Sequence, residues 1–258
     1  MSTRPVALVT GARRGIGLAI AHALAARGFD LAILDLSPPD EASAHLCADL
    51  AAHGGRAVYL SGDIGDLASH RPLVERCVAG LGGIDCLVNN AGMGSIKRGD
   101  VLDLAPENFD RVLAVNLRGT IFLTQAVARW MLAHPHVANR PRAIVHVTSV
   151  SAELASPERL DYCISKAGLA MWSRGLAVRL APEGIAVFDV RPGIIRTDMT
   201  AAVAETYERR IADGLVPARR WGEGRDVAGV VAALAGGEFG FATGSVIDVD
   251  GGLGIPRL

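Results

Sequence analysis

Short runs of consecutive apolar residues recur along this chain, and stretches with helical periodicity lie between them. The runs are residues 6–9, 31–34, 57–60 and 86–88, and further strands are expected over 143–147, 186–190 and 245–249. A strand with one wet face alternates apolar and polar residues. An unbroken apolar run instead fits a strand covered on both faces, the parallel-sheet case. Helices are expected over a pattern carrying Ile16, Ile20, Ala23 and Leu24, over 40–53, 66–81, 106–116 and 118–133, from Tyr162 to about 181, and over 226–235. Strands alternating with helices at this spacing make a doubly wound α/β sheet. Ligands in such sheets bind beyond the carboxyl ends of the strands. Asp35, Asp63 and Asn90 all fall there.

The first run leads directly into Thr10-Gly11-Ala12-Arg13-Arg14-Gly15-Ile16-Gly17 and then into a helix. Glycines let a backbone approach a pyrophosphate, and a helix N-terminus offers free N–H groups and a positive dipole end. The spacing is G-x-x-x-G-x-G rather than the commoner G-x-G-x-x-G. Asp35 closes the second run. An acidic residue about 20 residues past the glycines commonly accepts hydrogen bonds from an adenosine ribose and repels a 2′-phosphate. Asp35 therefore favours NAD(H). Arg13 and Arg14 argue for NADP(H), because a guanidinium there would meet a phosphate.

Tyr162 and Lys166 stand four residues apart on one helix face. A phenol, with an ordinary pKa of about 10, is a poor acid or base at neutral pH. A nearby ammonium favours the phenolate, which makes the pair a candidate acid/base.

Other classes of function find no support. The chain has 258 residues, a formal net charge of -1 and 50% hydrophobic residues, so a sizeable core is expected and a nucleic-acid partner is not. The four cysteines, Cys47, Cys77, Cys86 and Cys163, show no C-x-x-C spacing and suit a reducing compartment. His134 and His136 lack a third ligand and read as loop residues, so no metal is expected. No apolar run reaches the ~18 residues of a membrane span. The first strand starts near Pro5, leaving no room for a signal peptide, and a cytoplasmic protein is expected. No G-x-S-x-G marks a hydrolase, and no Lys-Ser or Lys-Thr follows the glycine-rich turn as a P-loop requires. With no repeat or linker, residues 1–258 are expected to form one domain, with a substrate lid near 194–224.

Taken in order, these motifs resemble the short-chain dehydrogenase/reductase family in its single-domain form. The residues that carry the likeness are Thr10-Gly11, Gly15-Ile16-Gly17, Asp63, Asn89-Asn90-Ala91-Gly92, Asn116, Ser149 thirteen residues before Tyr162, Tyr162 with Lys166, and Pro192-Gly193 with Thr197. The resemblance implies a Rossmann-type three-layer αβα sandwich around a mostly parallel seven-stranded sheet, and a homotetramer. It implies an NAD(P)-dependent oxidoreductase that interconverts a carbonyl and a secondary alcohol. Tyr162 would be the acid or base, Lys166 would depress its pKa and hold the nicotinamide ribose, Ser149 would hydrogen-bond the reacting oxygen, and Asn116 would hold a water leading to Lys166. Gly11, Arg14, Gly15, Ile16 and Gly17 would meet the cofactor phosphates. Asp63 and Ile64 would lie at its adenine, and Asn90, Ala91 and Gly92 along its length. Pro192, Gly193, Ile195 and Thr197 would hold its carboxamide.

The wording of the glycine-rich turn is similar to that of 3-oxoacyl-(acyl-carrier-protein) reductases, which makes a small-molecule or carrier-linked carbonyl the expected substrate. A sugar, polyol or steroid dehydrogenase is the alternative, and a non-catalytic dinucleotide sensor is the alternative of another class. Ile164 replaces a common alanine, and Ser151, eleven residues before Tyr162, is a poorer match than Ser149. The 153–159 loop and the lid, with Met199 and Tyr207, should shape the substrate pocket. Glu153, Glu158 and Arg159 read as solvated charges.

Overall fold

The computed structural model describes residues 4–134, 137, 140–201 and 203–257. His136 therefore lies outside the described residues, as does Ala202 of the expected lid. Seven strands form one sheet: β1 (Val6–Thr10), β2 (Asp30–Asp35), β3 (Ala57–Ser61), β4 (Cys86–Asn89), β5 (Arg142–Val147), β6 (Ile185–Pro192) and β7 (Val246–Val249). Their order across the sheet is β3-β2-β1-β4-β5-β6-β7, and every pairing is parallel. The helices are α1 (Gly15–Ala26), α2 (Glu41–Ala51), α3 (His70–Leu81), α4 (Pro106–Leu113), α5 (Thr120–Ala133), α6 (Leu160–Leu180), α7 (Asp198–Ala201), α8 (Ala204–Ala212) and α9 (Gly224–Ala235).

The apolar runs are unbroken because both faces are covered. Ala7, Val9, Leu31 and Ile33 pack with Ile20 and Leu24 of α1, Leu46 of α2 and Val231 of α9. Their sequence neighbours Val6, Leu8, Ala32 and Leu34 point the other way, onto Leu73 of α3, Leu123 and Val127 of α5 and Leu176 of α6. Each fully buried Leu or Ile in these layers contributes about 1.5–3 kcal/mol.

Two helices were expected over 106–116 and 118–133. The chain instead runs from α4 into α5 through a π-helical segment, Ala114–Gly119, with Asn116 inside it. Gly119 permits this, since a Cβ there would lie 2.3 Å from the Ile64 carbonyl oxygen. Wide turns of this kind frequently sit at functional sites.

One buried polar pair links neighbouring strands. His146 of β5 is opposite Asn89 of β4, whose Nδ2 lies 3.2 Å from His146 Nδ1 and donates to Thr124 Oγ1 at 2.8 Å. Burial, reinforced by the Lys166 charge, pushes the His146 pKa from 6.5 down to about 3. Between those values only the unfolded chain binds the proton, so stability falls as pH falls through this window. Wild type is expected to lose about 2 kcal/mol between pH 7 and pH 5 that His146→Gln does not lose. Urea unfolding of both proteins at the two pH values checks this; parallel losses would count against it.

Candidate active site

The strand order reverses between β1 and β4, and ligands of open α/β sheets bind at that crevice. Thr10 and Asn90 knit its two sides together. Thr10 Oγ1 accepts from the backbone N–H of Asn90 at 3.0 Å and of Ala91 at 2.9 Å. Asn90 Nδ2 donates to the carbonyls of Thr10 and Gly11, at 3.0 Å each. The glycines make room for this contact. Gly11 sits at φ +63° with Ala91 against it, and a Cβ on Gly17 would meet Gly11 O at 2.2 Å and Asn90 Nδ2 at 2.5 Å.

At the head of α1, Arg14 provides no side-chain cap and the first turn holds no acidic residue. By contrast, the Asp40 carboxylate accepts from the Ser43 N–H at the head of α2, and the Asp226 carboxylate accepts from the Glu223 N–H at the head of α9. The N-terminal N–H groups of α1 are thus left for another acceptor, and a pyrophosphate fits that requirement. Gly15, at φ +59°, has Thr197 beside it, since a Cβ there would lie 3.7 Å from Thr197 Cγ2. The loop after β6 therefore reaches the glycine-rich turn. Ile195 is buried and bridged to Gly222, and Gly193 packs against Asp250, behind the same loop.

Asp35, at the end of β2, accepts from the backbone N–H of Arg13 at 3.4 Å and of Ser37 at 3.2 Å. Both arginines of the turn have carboxylate partners. Arg13 pairs with Asp40 at 2.5 Å, and this bond holds the Asp40 carboxyl below its ordinary range. Arg14 pairs with Asp198 at 3.3 Å on the open surface. Asp63 caps Gly65 N–H at 2.7 Å and meets Arg111 at 3.3 Å, and Ile64 is buried beside it.

A second cluster forms where β4, β5 and α6 meet. Lys166, 5% exposed, donates from Nζ to the Val147 carbonyl at 3.0 Å, and its Nζ lies 5.7 Å from the Tyr162 ring centroid. Asn116 grips Met93 twice, with Nδ2 donating to its carbonyl and Oδ1 accepting from its N–H, both at 2.8 Å. Asn116 Nδ2 also reaches Ser165 Oγ at 3.1 Å, and Ser165 Oγ donates to the Tyr162 carbonyl at 2.7 Å. Gly92 lies between Asn116 and Lys166, as its Cβ would sit 3.2 Å from Asn116 Oδ1 and 3.6 Å from Lys166 Nζ. Ser149 Oγ accepts from the Ser151 N–H at 3.0 Å. Asn116, Tyr162 and Lys166 are thereby brought together although up to 50 positions separate them in sequence, and Ser149 lies two residues past Val147, whose carbonyl Lys166 holds.

A family model described as enoyl-(acyl carrier protein) reductase matches residues 11–254. The chain belongs to the short-chain dehydrogenase/reductase family. A crystal structure of a 3-oxoacyl-[acyl-carrier protein] reductase from Brucella melitensis in complex with NAD superposes with a TM-score of 0.96. It is 58% identical, with 100% of each chain covered. The 3-oxoacyl-[acyl-carrier-protein] reductase FabG of Escherichia coli (strain K12) is 36% identical over 96% of each chain. An L-rhamnose 1-dehydrogenase (NAD(P)(+)) of Azotobacter vinelandii is likewise 36% identical, over 95% of each. The protein is an oxidoreductase of this family, acting with NAD(P) on carbonyl or alcohol groups of a small-molecule substrate. Among the described residues no helix is long and apolar enough to cross a membrane, and no group of three or more His, Cys, Asp or Glu could hold a metal ion.

Two charges read as solvated are engaged at this dehydrogenase/reductase centre. Glu153 accepts from Arg191 Nη1, which lowers the Glu153 pKa. Arg191, 3% exposed, also pairs with Asp189 at 2.9 Å, and Asp189 accepts from Thr148, the neighbour of Ser149. Arg159 lies over the Tyr162 ring, 5.2 Å from its centroid, and donates to Ser151 Oγ at 3.2 Å. Its spacing of three residues from Tyr162 at the head of a helix was the available signal. A cavity of about 650 Å³ lies behind the loop after β6, lined by Ile194, Ile195, Val216, Arg220, Asp248 and Ile255 but by none of Ser149, Tyr162 or Lys166.

Gly17→Ala should abolish NAD(H) binding and cost about 1–3 kcal/mol, because the added methyl collides with backbone rather than a yielding side chain. Nicotinamide fluorescence titration with a thermal melt reads both; unchanged affinity would remove the turn from the cofactor site.

Proposed function

We propose that this enzyme is a 3-oxoacyl thioester reductase that favours NAD(H), with Tyr162 as the proton donor. The Lys166 ammonium, buried and 5.7 Å from the Tyr162 ring centroid, carries the chemistry of this reading. The 58% likeness to a protein described as a 3-oxoacyl-[acyl-carrier protein] reductase supports the substrate class. The sugar dehydrogenase relative stands at 36%.

In the reductive direction Tyr162 Oη protonates the carbonyl oxygen as the carbonyl carbon is reduced. The bound nicotinamide supplies the hydride that this carbon takes up. Ser149 Oγ donates to the same oxygen and stabilises the charge that develops on it. Lys166 places a positive charge beside the phenol and returns the proton, by way of a water held at Asn116. In oxidation Tyr162 accepts the alcohol proton. Gly11, Arg14, Gly15, Ile16 and Gly17 hold the phosphates, Asp63 and Ile64 the adenine, Asn90, Ala91 and Gly92 the body of the cofactor. Pro192, Gly193, Ile195 and Thr197 hold its carboxamide end. Asp35 accepts from the adenosine ribose. The pairing of Arg13 with Asp40 engages that guanidinium with a carboxylate, which with Asp35 favours NAD(H).

Residues 194–224 act as the substrate lid on a single 1–258 domain. Ile211, Val216 and Trp221 give this segment its own apolar cluster, and Met199 packs toward Gly94. The exposed apolar side chains of Phe122 on α5 and of Ile164, Met171 and Val178 on α6 support assembly into a homotetramer. Four free cysteines, with burial pushing the Cys77 and Cys86 thiols up to about 12, suit a cytoplasmic enzyme.

Tyr162→Phe should lower kcat by about 10²–10⁴-fold while NADH affinity holds, since only the ionisable oxygen is lost. Stopped-flow NADH oxidation with acetoacetyl-CoA checks it, and undiminished turnover would refute the proton-donor role. Asp35→Ala should move the NADH-to-NADPH ratio of kcat/KM about 10-fold toward NADPH, some 1.4 kcal/mol. A wild type that already prefers NADPH would overturn the reading of Asp35.

A further inference from the structure

The helix that carries Tyr162 is preceded by a short turn, Pro157–Arg159, pinned to the facing loop by the Gly99 N–H bond to the Glu158 carbonyl at 3.2 Å. This turn lays the half-buried Arg159 side chain over the ring of Tyr162. A guanidinium is a planar fork of five N–H donors with no acceptor. Ser151 takes one bond, from Nη2. Among the described residues, Nη1 and Nε have no hydrogen-bond partner, and no carboxylate pairs with Arg159. Lys166 differs in this respect, for its ammonium is already bonded to the Val147 carbonyl. An unpaired fork beside the proton donor, and one serine away from Ser149, is a ready binding site for a substrate oxygen.

We propose that Arg159 binds the oxygen at C1 of the substrate, two carbons from the carbonyl that Tyr162 protonates, and thereby selects 3-oxoacyl compounds over simple ketones. The inference rests on the reaction proposed above and names the part of the substrate that the site recognises. Tyr162 and Ser149 converge on the C3 oxygen. The next oxygen along a 3-oxoacyl chain is the C1 carbonyl of a thioester, or a carboxylate in the free acid. A guanidinium grips the carboxylate with two parallel N–H bonds and donates to the single oxygen of the thioester carbonyl; a lysine at the same position cannot reproduce the parallel pair. A ketone without C1 oxygen gives the fork no acceptor, and the loss of those charge-assisted bonds supplies the discrimination. Ser151, the poorer match to the catalytic serine, takes a defined part here: its hydroxyl orients Arg159 and its N–H orients Ser149.

The test follows NADH oxidation by wild type, Arg159→Met and Arg159→Lys with three probes: the acetoacetyl thioester of N-acetylcysteamine, acetoacetate, and pentan-2-one. NADH affinity and thermal midpoint are measured on each protein. In Arg159→Met, kcat/KM for the C1-oxygenated probes should fall about 30-fold, while the pentan-2-one value stays within about 3-fold of wild type. A larger fall for the thioester assigns the site to an acyl carbonyl, and a larger fall for acetoacetate assigns it to a carboxylate. Arg159→Lys should recover part of the acetoacetate rate and less of the thioester rate, and it carries the test if Arg159→Met does not fold. Equal losses on all three probes would mean that Arg159 merely supports Tyr162, and no loss would make it a bystander; either overturns the inference while leaving the reductase reading intact. A wild type that reduces neither C1-oxygenated probe overturns both.

Discussion

The architecture depends on how closely the β1–α1 turn approaches the end of β4. Asn90 holds the Thr10 and Gly11 carbonyls from the far side of the strand-order reversal, and Thr10 returns the contact through its hydroxyl. Only glycine fits at positions 11 and 17, where Ala91, Asn90 and neighbouring backbone leave no space for a Cβ. The same contact aims the uncapped N-terminus of α1 at the crevice. One contact therefore joins the two sides of the reversal and fixes where α1 starts relative to it.

The second half of the site is built on this frame by burial. Lys166 and Asn116 are almost wholly enclosed, so each must find partners. Lys166 finds the last carbonyl of β5, and Asn116 finds both backbone groups of Met93 and the Ser165 hydroxyl. These bonds fasten α6, β4 and β5 to one another where Tyr162 emerges. The π-helical turn that carries Asn116 is set by the tight passage of Gly119 against the Ile64 carbonyl. Packing against a distant loop thus determines where a site residue points.

Much of the site could be read from local spacing. Tyr162 with Lys166, the glycines before α1 and Asp35 at a strand end each follow from the geometry of a single helix, turn or strand. Partners joined across the fold could not be read this way. Glu153 is exposed, as a solvated charge would be, but it also accepts from Arg191, 38 positions away, which links through Asp189 to Thr148. Arg13 and Arg14 were read from the turn alone as phosphate partners, and the fold sets a carboxylate beside each, Asp40 and Asp198, brought from other segments. The break expected between 116 and 118 is a continuous helical path, because periodicity on either side of a π turn resembles two helices out of phase.

The sequence by itself determined the alternation of strand and helix, the parallel sheet and the type of chemistry. Apolar periodicity and short motifs obey local rules that hold wherever the chain is placed. Tertiary structure alone decided which charges are occupied and which remain available to a ligand. Ion pairing and burial depend on what other segments bring to the same few ångströms. Arg159 marks the difference: its letter is that of a solvated surface residue, and only the turn before α6 lays it against Tyr162 with donors to spare.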